Sequence, residues 1–80
     1  MKLILTLERF VFELNQDEDI LVKVIDYDSV EPTIEDYWKS CLQQNETYQK
    51  IKNDEVVDFT VYRLKGGNVG LEIYTKKNED

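Results

Sequence analysis

The sequence predicts a single α+β domain in which two β-hairpins flank one helix, in the order β-β-α-β-β. Apolar side chains alternate with a period of two near both ends of the chain, and a central stretch has helical spacing. A glycine pair in the second half fits a hairpin turn. Eighty residues leave room for one hydrophobic core, so residues 1–80 form one domain. We expect an antiparallel sheet with the helix packed on one face, giving two layers.

The first hairpin is predicted from residues 2–14 and 20–27. Apolar residues of the first segment alternate, but their parity changes midway, so a β-bulge is expected near Glu8–Arg9. The second segment is rich in β-branched residues, which favour strands. The polar run between them, Asn15–Asp19, has the composition of a turn.

The helix is predicted from residue 34 to 44, with an extension to residue 52 left open. Thr33 is a suitable N-cap, and Asn45–Glu46 is the weakest point of the extended helix. Trp38 and Cys41 fall on the apolar stripe and are therefore expected in the core.

The second hairpin is predicted from a strand over residues 56–64 and a last strand that contains Val69, Leu71 and Ile73. Lys65–Asn68 contains two glycines, which tolerate the positive φ of tight turns, and therefore connects the two strands. The sequence does not indicate the order of the strands across the sheet.

Charge is unevenly distributed along the chain, whose formal net charge is −7. Residues 1–36 hold ten acids and three bases, whereas residues 37–80 hold seven of each. An acidic surface repels phosphate, which argues against direct binding of nucleic acid or anionic membranes. A basic surface of another protein is the favoured partner. Acidity that serves only solubility remains the alternative.

The residue types needed for catalysis or metal binding are sparse. The chain has no histidine, and Cys41 is its only cysteine, so a Cys–His pair is excluded. Asp17–Asp19 and the pair Asp26 and Asp28 are dense in carboxylates but lack the glycine and glutamate of a calcium loop. We therefore expect no enzymatic activity, no cofactor and no metal site.

Single-cysteine usage is typical of a reducing compartment, because a secreted domain of this size usually needs disulfides. The chain also lacks a signal-peptide pattern and a run of about 20 apolar residues. These observations predict a cytoplasmic protein, in the host cytoplasm if the protein is viral.

Acidic and aromatic residues cluster around the connection between the second predicted strand and the helix. The candidate partner-binding residues are Asp26, Tyr27, Asp28, Glu31, Glu35, Asp36 and Tyr37. Clustered carboxylates with aromatic neighbours suit a basic docking groove on a partner. An ordinary helix N-terminus with favourable acids is the structural alternative.

The resulting functional hypothesis is a small acidic inhibitor or decoy, of the phage counter-defence or nuclease-immunity type. It would occupy a basic surface of a nuclease or another nucleic-acid-binding protein. The alternative hypothesis is a non-catalytic adaptor or assembly subunit that binds through an exposed strand edge. Either a monomer or a homodimer is compatible with the sequence.

Overall fold

The computed structural model of the chain describes residues 4–14 and 19–78. Helix α1 is followed by two strands, a 3₁₀ helix, helix α2 and two further strands. The elements are α1 (Leu7–Glu13), β1 (Ile20–Asp26), β2 (Glu31–Trp38), the 3₁₀ helix (Lys39–Gln44), α2 (Glu46–Ile51), β3 (Glu55–Arg63) and β4 (Val69–Lys76). The predicted α+β class is confirmed.

The four strands form one open sheet in the order β2-β1-β4-β3. Strands β1 and β2 pair antiparallel, as do β3 and β4. The central strands β1 and β4 run parallel, from Ile20 opposite Val69 to Asp26 opposite Thr75. The sheet is therefore mixed, and the prediction of a wholly antiparallel sheet is wrong. The parallel pair forms where β1 of the first hairpin lies beside β4 of the second. Turn residues specify the pairing within each hairpin but not the way in which two hairpins associate.

The N-terminal segment is a helix from Leu7 to Glu13, where a strand was predicted. Thr6 caps this helix, because its side chain accepts a hydrogen bond from the Arg9 amide at 3.2 Å. The change of parity near Glu8–Arg9 is thus the start of helical spacing and not a bulge. Leu7 and Val11 are buried on one helix face. Residues 2 and 3 and the turn residues 15–18 lie outside the described residues.

Strand β2 occupies positions where a helix was predicted to begin. Ile34 lies opposite Val24 and Tyr37 lies opposite Val22, so three residues of β2 span two residues of β1. The extra residue is a bulge that includes Asp36, whose φ is +36°. A bulge places both apolar residues on the core side of the sheet, which reproduces the i, i+3 spacing of a helix.

The remaining part of the predicted helix is divided in two. The 3₁₀ helix ends at Gln44, and Asn45 caps α2 by accepting a hydrogen bond from the Tyr48 amide at 2.9 Å. The predicted weak point at Asn45–Glu46 is therefore the boundary between two helices. The second hairpin is confirmed, and Gly67 in its turn has φ +93°.

The hydrophobic core lies between the short helices and one face of the sheet. The helices contribute Leu7, Val11, Leu42 and Tyr48, and the strands contribute Ile20, Val22, Val24, Ile34, Leu71 and Ile73. Because side chains alternate along a strand, Leu21, Lys23 and Ile25 point to the opposite face of β1. No helix among the described residues contributes a residue to that opposite face.

Gly70 on the open face lies directly under an aromatic ring. It is opposite Tyr62 in the β3–β4 register, and a Cβ atom added at position 70 would collide with the Tyr62 ring. The ring thus covers the glycine, an arrangement that compensates for the missing side chain in a strand.

We expect Gly70→Ala to lower the free energy of unfolding by about 1–2 kcal/mol, because the Tyr62 ring must move. In a Tyr62→Ala background the same change should stabilise the protein by about 0.5 kcal/mol, since alanine loses less backbone entropy than glycine. Urea unfolding of the two single variants and the double variant measures this coupling. Equal effects of Gly70→Ala in both backgrounds would contradict the packing of the ring on the glycine.

Candidate interaction surface

The turn between β1 and β2 brings the predicted acidic residues onto one hairpin. Asp26 organises the turn, because its Oδ1 accepts hydrogen bonds from the amides of Asp28 at 2.9 Å and Ser29 at 3.5 Å. Its backbone carbonyl accepts a further hydrogen bond from the Val30 amide at 2.7 Å. Asp26 is therefore a structural residue of the turn, and only part of its surface is exposed.

Tyr27 and Asp28 share a cationic neighbour at the end of β4. The Lys76 Nζ lies 5.1 Å from the centroid of the Tyr27 ring and 3.9 Å from Asp28 Oδ1. The Tyr27 amide also donates a hydrogen bond to the Thr75 carbonyl at 2.9 Å. These contacts fix the hairpin tip to the sheet and offset part of the negative charge of Asp28.

Three other acids of the hairpin have exposed side chains on β2. Glu31, Glu35 and Asp36 form no ion pair with any described residue. Glu31 also lies directly opposite Asp26 in the β1–β2 register. Like charges at such positions destabilise a strand pair. The hairpin thus concentrates negative charge at a cost in stability.

Tyr37 differs from the other predicted binding residues, because its side chain is half-buried and packs against the hydrophobic core. All seven predicted residues therefore lie on the β1–β2 hairpin, and Tyr37 is the one that packs against the hydrophobic core. The expected strand-to-helix connection is instead a strand-to-strand turn, which brings Glu31 beside Asp26.

Two of the residues predicted for the apolar helix stripe, Trp38 and Cys41, are not in the core. Trp38 is 40% exposed and lies opposite Leu21 in the register, so it belongs to the open face of the sheet. Cys41 is a free, exposed thiol at the start of the 3₁₀ helix. Both predictions are wrong because they assumed one continuous α-helix. Trp38 instead ends strand β2, and Cys41 lies in the 3₁₀ helix.

The outer edge of β2 is poorly suited to pairing with another strand. Two register shifts interrupt its ladder with β1. Pro32 lacks an amide donor, Asp36 has positive φ, and Glu31 and Glu35 carry charge. Irregular geometry, proline and charge are features that protect sheet edges from aggregation.

The opposite edge of the sheet, β3, has a different character. The segment before α1 covers only its beginning, where the Val56 amide donates to the Leu5 carbonyl at 2.8 Å and Thr6 forms a bridge with Glu55. From residue 57 to 63 no described strand pairs with the outer edge. We call this segment the free β3 edge.

Apolar side chains accompany the free β3 edge. Val57, Phe59 and Val61 are 38%, 49% and 59% exposed, and Leu5 beside them is 43% exposed. The Phe59 ring lies 5.1 Å from the Phe10 ring of α1, which anchors the patch to the helix layer. The alternating pattern of these residues was visible in the sequence, but their exposure was not, because it follows from the position of β3 at the end of the sheet.

An open groove lies between α1 and the pair formed by the 3₁₀ helix and α2. Its lining residues are Thr6, Glu8, Arg9, Val11, Phe12, Glu13, Leu14, Lys39, Gln43 and Tyr48. Most of its charges are already paired, since Arg9 Nε is 3.1 Å from Glu13 and Lys52 Nζ is 3.7 Å from Glu8. Among the described lining residues, Lys39 is the charged residue for which no ion pair is found.

Within residues 4–14 and 19–78, no group of three or more carboxylates and thiols converges as metal ligands would. None of the helices in this part of the chain has the length and apolar character required to span a bilayer. A scan of protein-family models and searches of curated proteins and of solved structures found no match to this chain.

Proposed function

We propose that this chain is a non-catalytic inhibitor or decoy whose acidic β1–β2 hairpin docks on a basic surface of a nucleic-acid-handling protein. The observation that carries the proposal is a set of exposed carboxylates on a single strand, those of Glu31, Glu35 and Asp36, which form no ion pair within residues 4–14 and 19–78. A phage counter-defence protein and a nuclease-immunity protein are the two biological settings that suit such a module, both in the cytoplasm.

Strand β2 presents these carboxylates on both faces of the sheet edge. Glu31 lies opposite Asp26 and shares the face of Ile34, whereas Glu35 directly follows Ile34 and points to the other face. At about 3.3 Å per residue, Glu31 and Glu35 are separated by roughly 10–13 Å along the strand. The strand holds the acids in fixed positions, which lowers the entropy lost on binding.

The position of Glu31 opposite Asp26 also supports a binding role. Two carboxylates at directly opposed strand positions repel each other, and a basic partner would relieve this repulsion on docking. The same negative charge would accelerate encounter with a basic surface and would make the association rate fall as salt rises.

An affinity capture with a paired charge-reversal variant tests this proposal. The immobilised wild-type chain is exposed to a lysate of the organism that encodes it, and captured proteins are eluted with double-stranded DNA. We expect a nucleic-acid-binding protein in the eluate, because DNA and the hairpin compete for one basic surface. Glu31→Lys/Glu35→Lys should weaken the binding of that protein by more than about tenfold, through loss and reversal of two contacts.

The matched control is Glu13→Lys/Glu46→Lys, which makes the same change in net charge at exposed acids of the two helices. Binding that falls equally in both variants would indicate a response to net charge alone. Retention of the partner by the folded Glu31→Lys/Glu35→Lys variant, or a partner that DNA does not release, would contradict the proposal.

A second candidate function is that of an adaptor or assembly subunit that binds through a strand edge. The specific observation in its favour is the free β3 edge with its exposed apolar residues. Unpaired strand edges bind extended segments of other chains through main-chain hydrogen bonds. This surface and the hairpin lie at opposite edges of the sheet and can be tested separately.

A further inference from the structure

The two edges of the sheet differ in how they are protected. Proline, two register shifts and acids interrupt β2, whereas β3 has one register shift, between Val56 and Asp58, and pairs with β4 without interruption from Asp58 to Arg63. The outer side of the same stretch has no proline and a single acid, Asp58. A regular, apolar, unprotected edge is the kind that associates with another strand.

The charges of the free β3 edge favour antiparallel over parallel pairing with its own copy. Asp58 lies near one end of the segment 57–63 and Arg63 lies at the other, on opposite faces of the sheet, because residues 58–63 pair with β4 without interruption. Antiparallel pairing of two copies keeps like charges apart. The two Asp58 residues are then about 13 Å apart, at about 3.3 Å per residue. Parallel pairing would place like charges together.

The apolar side chains near the edge supply part of the area that a dimer interface needs. A phenylalanine presents about 150–250 Å² of surface, so the half-exposed Phe59 contributes on the order of 100 Å². With Leu5, Val57 and Val61 the patch reaches a few hundred Å², the size of functional patches on soluble proteins. A stable interface buries about 800 Å² per partner, and the main chain of seven edge residues supplies part of the remainder.

We infer that a second copy of this chain pairs antiparallel with the free β3 edge and joins two sheets into one of eight strands. Pairing of the complete segment 57–63 with itself is centred on Thr60, which then lies opposite Thr60 of the second copy. Phe59 of each copy lies opposite Val61 of the other and covers it from the core side of the sheet. The inference rests on the second candidate function, the strand-edge surface, and not on the acidic hairpin.

Dimerisation at this edge would leave the acidic hairpins at the two far ends of the joined sheet. The strand order places β2 three positions away from β3 in each copy. Two hairpins facing outward would make the dimer bivalent, which favours partners with two basic surfaces such as symmetric nucleic-acid-binding dimers.

Sedimentation equilibrium of the full chain measures the dimer directly, against the monomer mass of 9.5 kDa. We expect a dimer with a dissociation constant in the micromolar range, as is usual for a modest interface. Val61→Lys should raise that constant by at least about tenfold, because two lysines would be brought into the apolar centre of the interface. A chain that remains monomeric at millimolar concentration would overturn the inference.

The matched control is Val30→Lys, which introduces the same residue at another exposed valine, on the β1–β2 turn. Its dimer dissociation constant should equal that of the wild type. Equal weakening in both variants, or an unchanged constant in Val61→Lys, would assign the dimer to another surface and refute the inference.

Cysteine cross-linking tests the register in a Cys41→Ser background. Thr60→Cys should form a covalent dimer on mild oxidation, because directly opposed residues of antiparallel strands have Cβ atoms about 4.5–5.5 Å apart. Asp58→Cys should not, since its counterpart is about four residues away along the strand. Equal cross-linking of both variants would refute pairing centred on Thr60.

Salt separates the failure of this inference from the failure of the proposed function. Two copies of charge −7 repel each other, so added salt should leave the dimer unchanged or strengthen it. Docking of the hairpin on a basic surface should weaken under the same conditions. A monomeric chain that still captures a DNA-releasable partner would refute the dimer alone.

Discussion

Replacement of Tyr48 by alanine is expected to lower the free energy of unfolding by about 3–5 kcal/mol, a large part of the stability of a small domain. The Tyr48 side chain is fully buried in the core formed with Leu7 and Leu42. Its removal leaves a cavity between the helices and the sheet, which short helices held at both ends cannot fill completely.

Tyr48→Phe, in contrast, is expected to raise the free energy of unfolding and the melting temperature. The Tyr48 hydroxyl is buried and forms no hydrogen bond of good geometry with a described residue, although the Gln43 side chain is near enough to lower its pKa slightly against the other effects. Such a group carries a desolvation cost of about 1–3 kcal/mol, which phenylalanine avoids without loss of ring packing. Burial, followed by the nearby Glu8 carboxylate, also raises the pKa of Tyr48.

Thermal and urea unfolding of wild type, Tyr48→Phe and Tyr48→Ala test both expectations. The raised pKa adds an independent signature. The unfolded phenol ionises near its ordinary pKa of about 10, while the folded phenol stays protonated to higher pH. Wild-type stability should therefore decrease as pH rises above about 10, and Tyr48→Phe should lack this contribution. Destabilisation by Tyr48→Phe at pH 7 would indicate that the hydroxyl is hydrogen-bonded in solution.

Loss of the Asp19 carboxylate is expected to cost about 1–3 kcal/mol at pH 7. Asp19 joins segments that are 21 residues apart, since its Oδ1 accepts a hydrogen bond from the Ser40 amide at 3.0 Å and its Oδ2 accepts one from the Ser40 hydroxyl. Asp19 Oδ1 also accepts a hydrogen bond from the Ile20 amide at 3.0 Å. The variant Asp19→Ala removes all three bonds, two of which connect the start of β1 to the start of the 3₁₀ helix.

The pH dependence of this contribution follows from the pKa of Asp19. The hydrogen bond from the Ser40 side chain, together with the two backbone amides, lowers that pKa. Stability from Asp19 is thus fully present above the ordinary carboxyl pKa of about 3.9 and is lost as pH falls through the lower folded value. The difference in unfolding free energy between wild type and Asp19→Ala should therefore shrink below about pH 4.

The pKa of Asp54 is shifted in the opposite direction from that of Asp19. Burial is the main cause that raises it, Lys77 lowers it, and the nearby Asp26 carboxylate raises it further. Protonation of Asp54 favours the folded state, so Asp54→Asn should stabilise the protein at neutral pH and lose this advantage below the folded pKa. Urea unfolding of both variants from pH 3 to pH 7 measures the two trends. An Asp19→Ala difference that is constant over this range would contradict the role of the ionised carboxylate.

Local signals predicted the second half of the fold well. The hairpin of β3 and β4 was predicted because two adjacent glycines specify the turn, and Gly67 adopts the required positive φ. A weak point at Asn45–Glu46 was predicted, and the structure has a helix boundary there, because asparagine is an effective N-cap that acts on an amide only three residues away.

Predictions that needed distant partners were less successful. In residues 34–38 the apolar side chains of Ile34 and Tyr37 are three positions apart, as in a helix, although the backbone is a strand. The bulge that explains this spacing can be identified only from the pairing with β1. The apolar residues at the N-terminus alternate over a short range, and Thr6 starts a helix whose burial depends on the other elements. Trp38 and Cys41 were predicted in the core because their spacing fits a helix that does not form in the folded protein.

Composition and local patterns establish the net charge, the lack of histidine, the acidic residues near position 30 and the β3–β4 turn. These properties belong to individual residues or to neighbours in the chain. Long-range packing places β1 and β4 in the centre of the sheet and β2 and β3 at its edges. Strand order depends on contacts between segments that are distant in the sequence. It places the acids of β2 on one edge of the sheet and leaves the apolar residues of the free β3 edge exposed on the other.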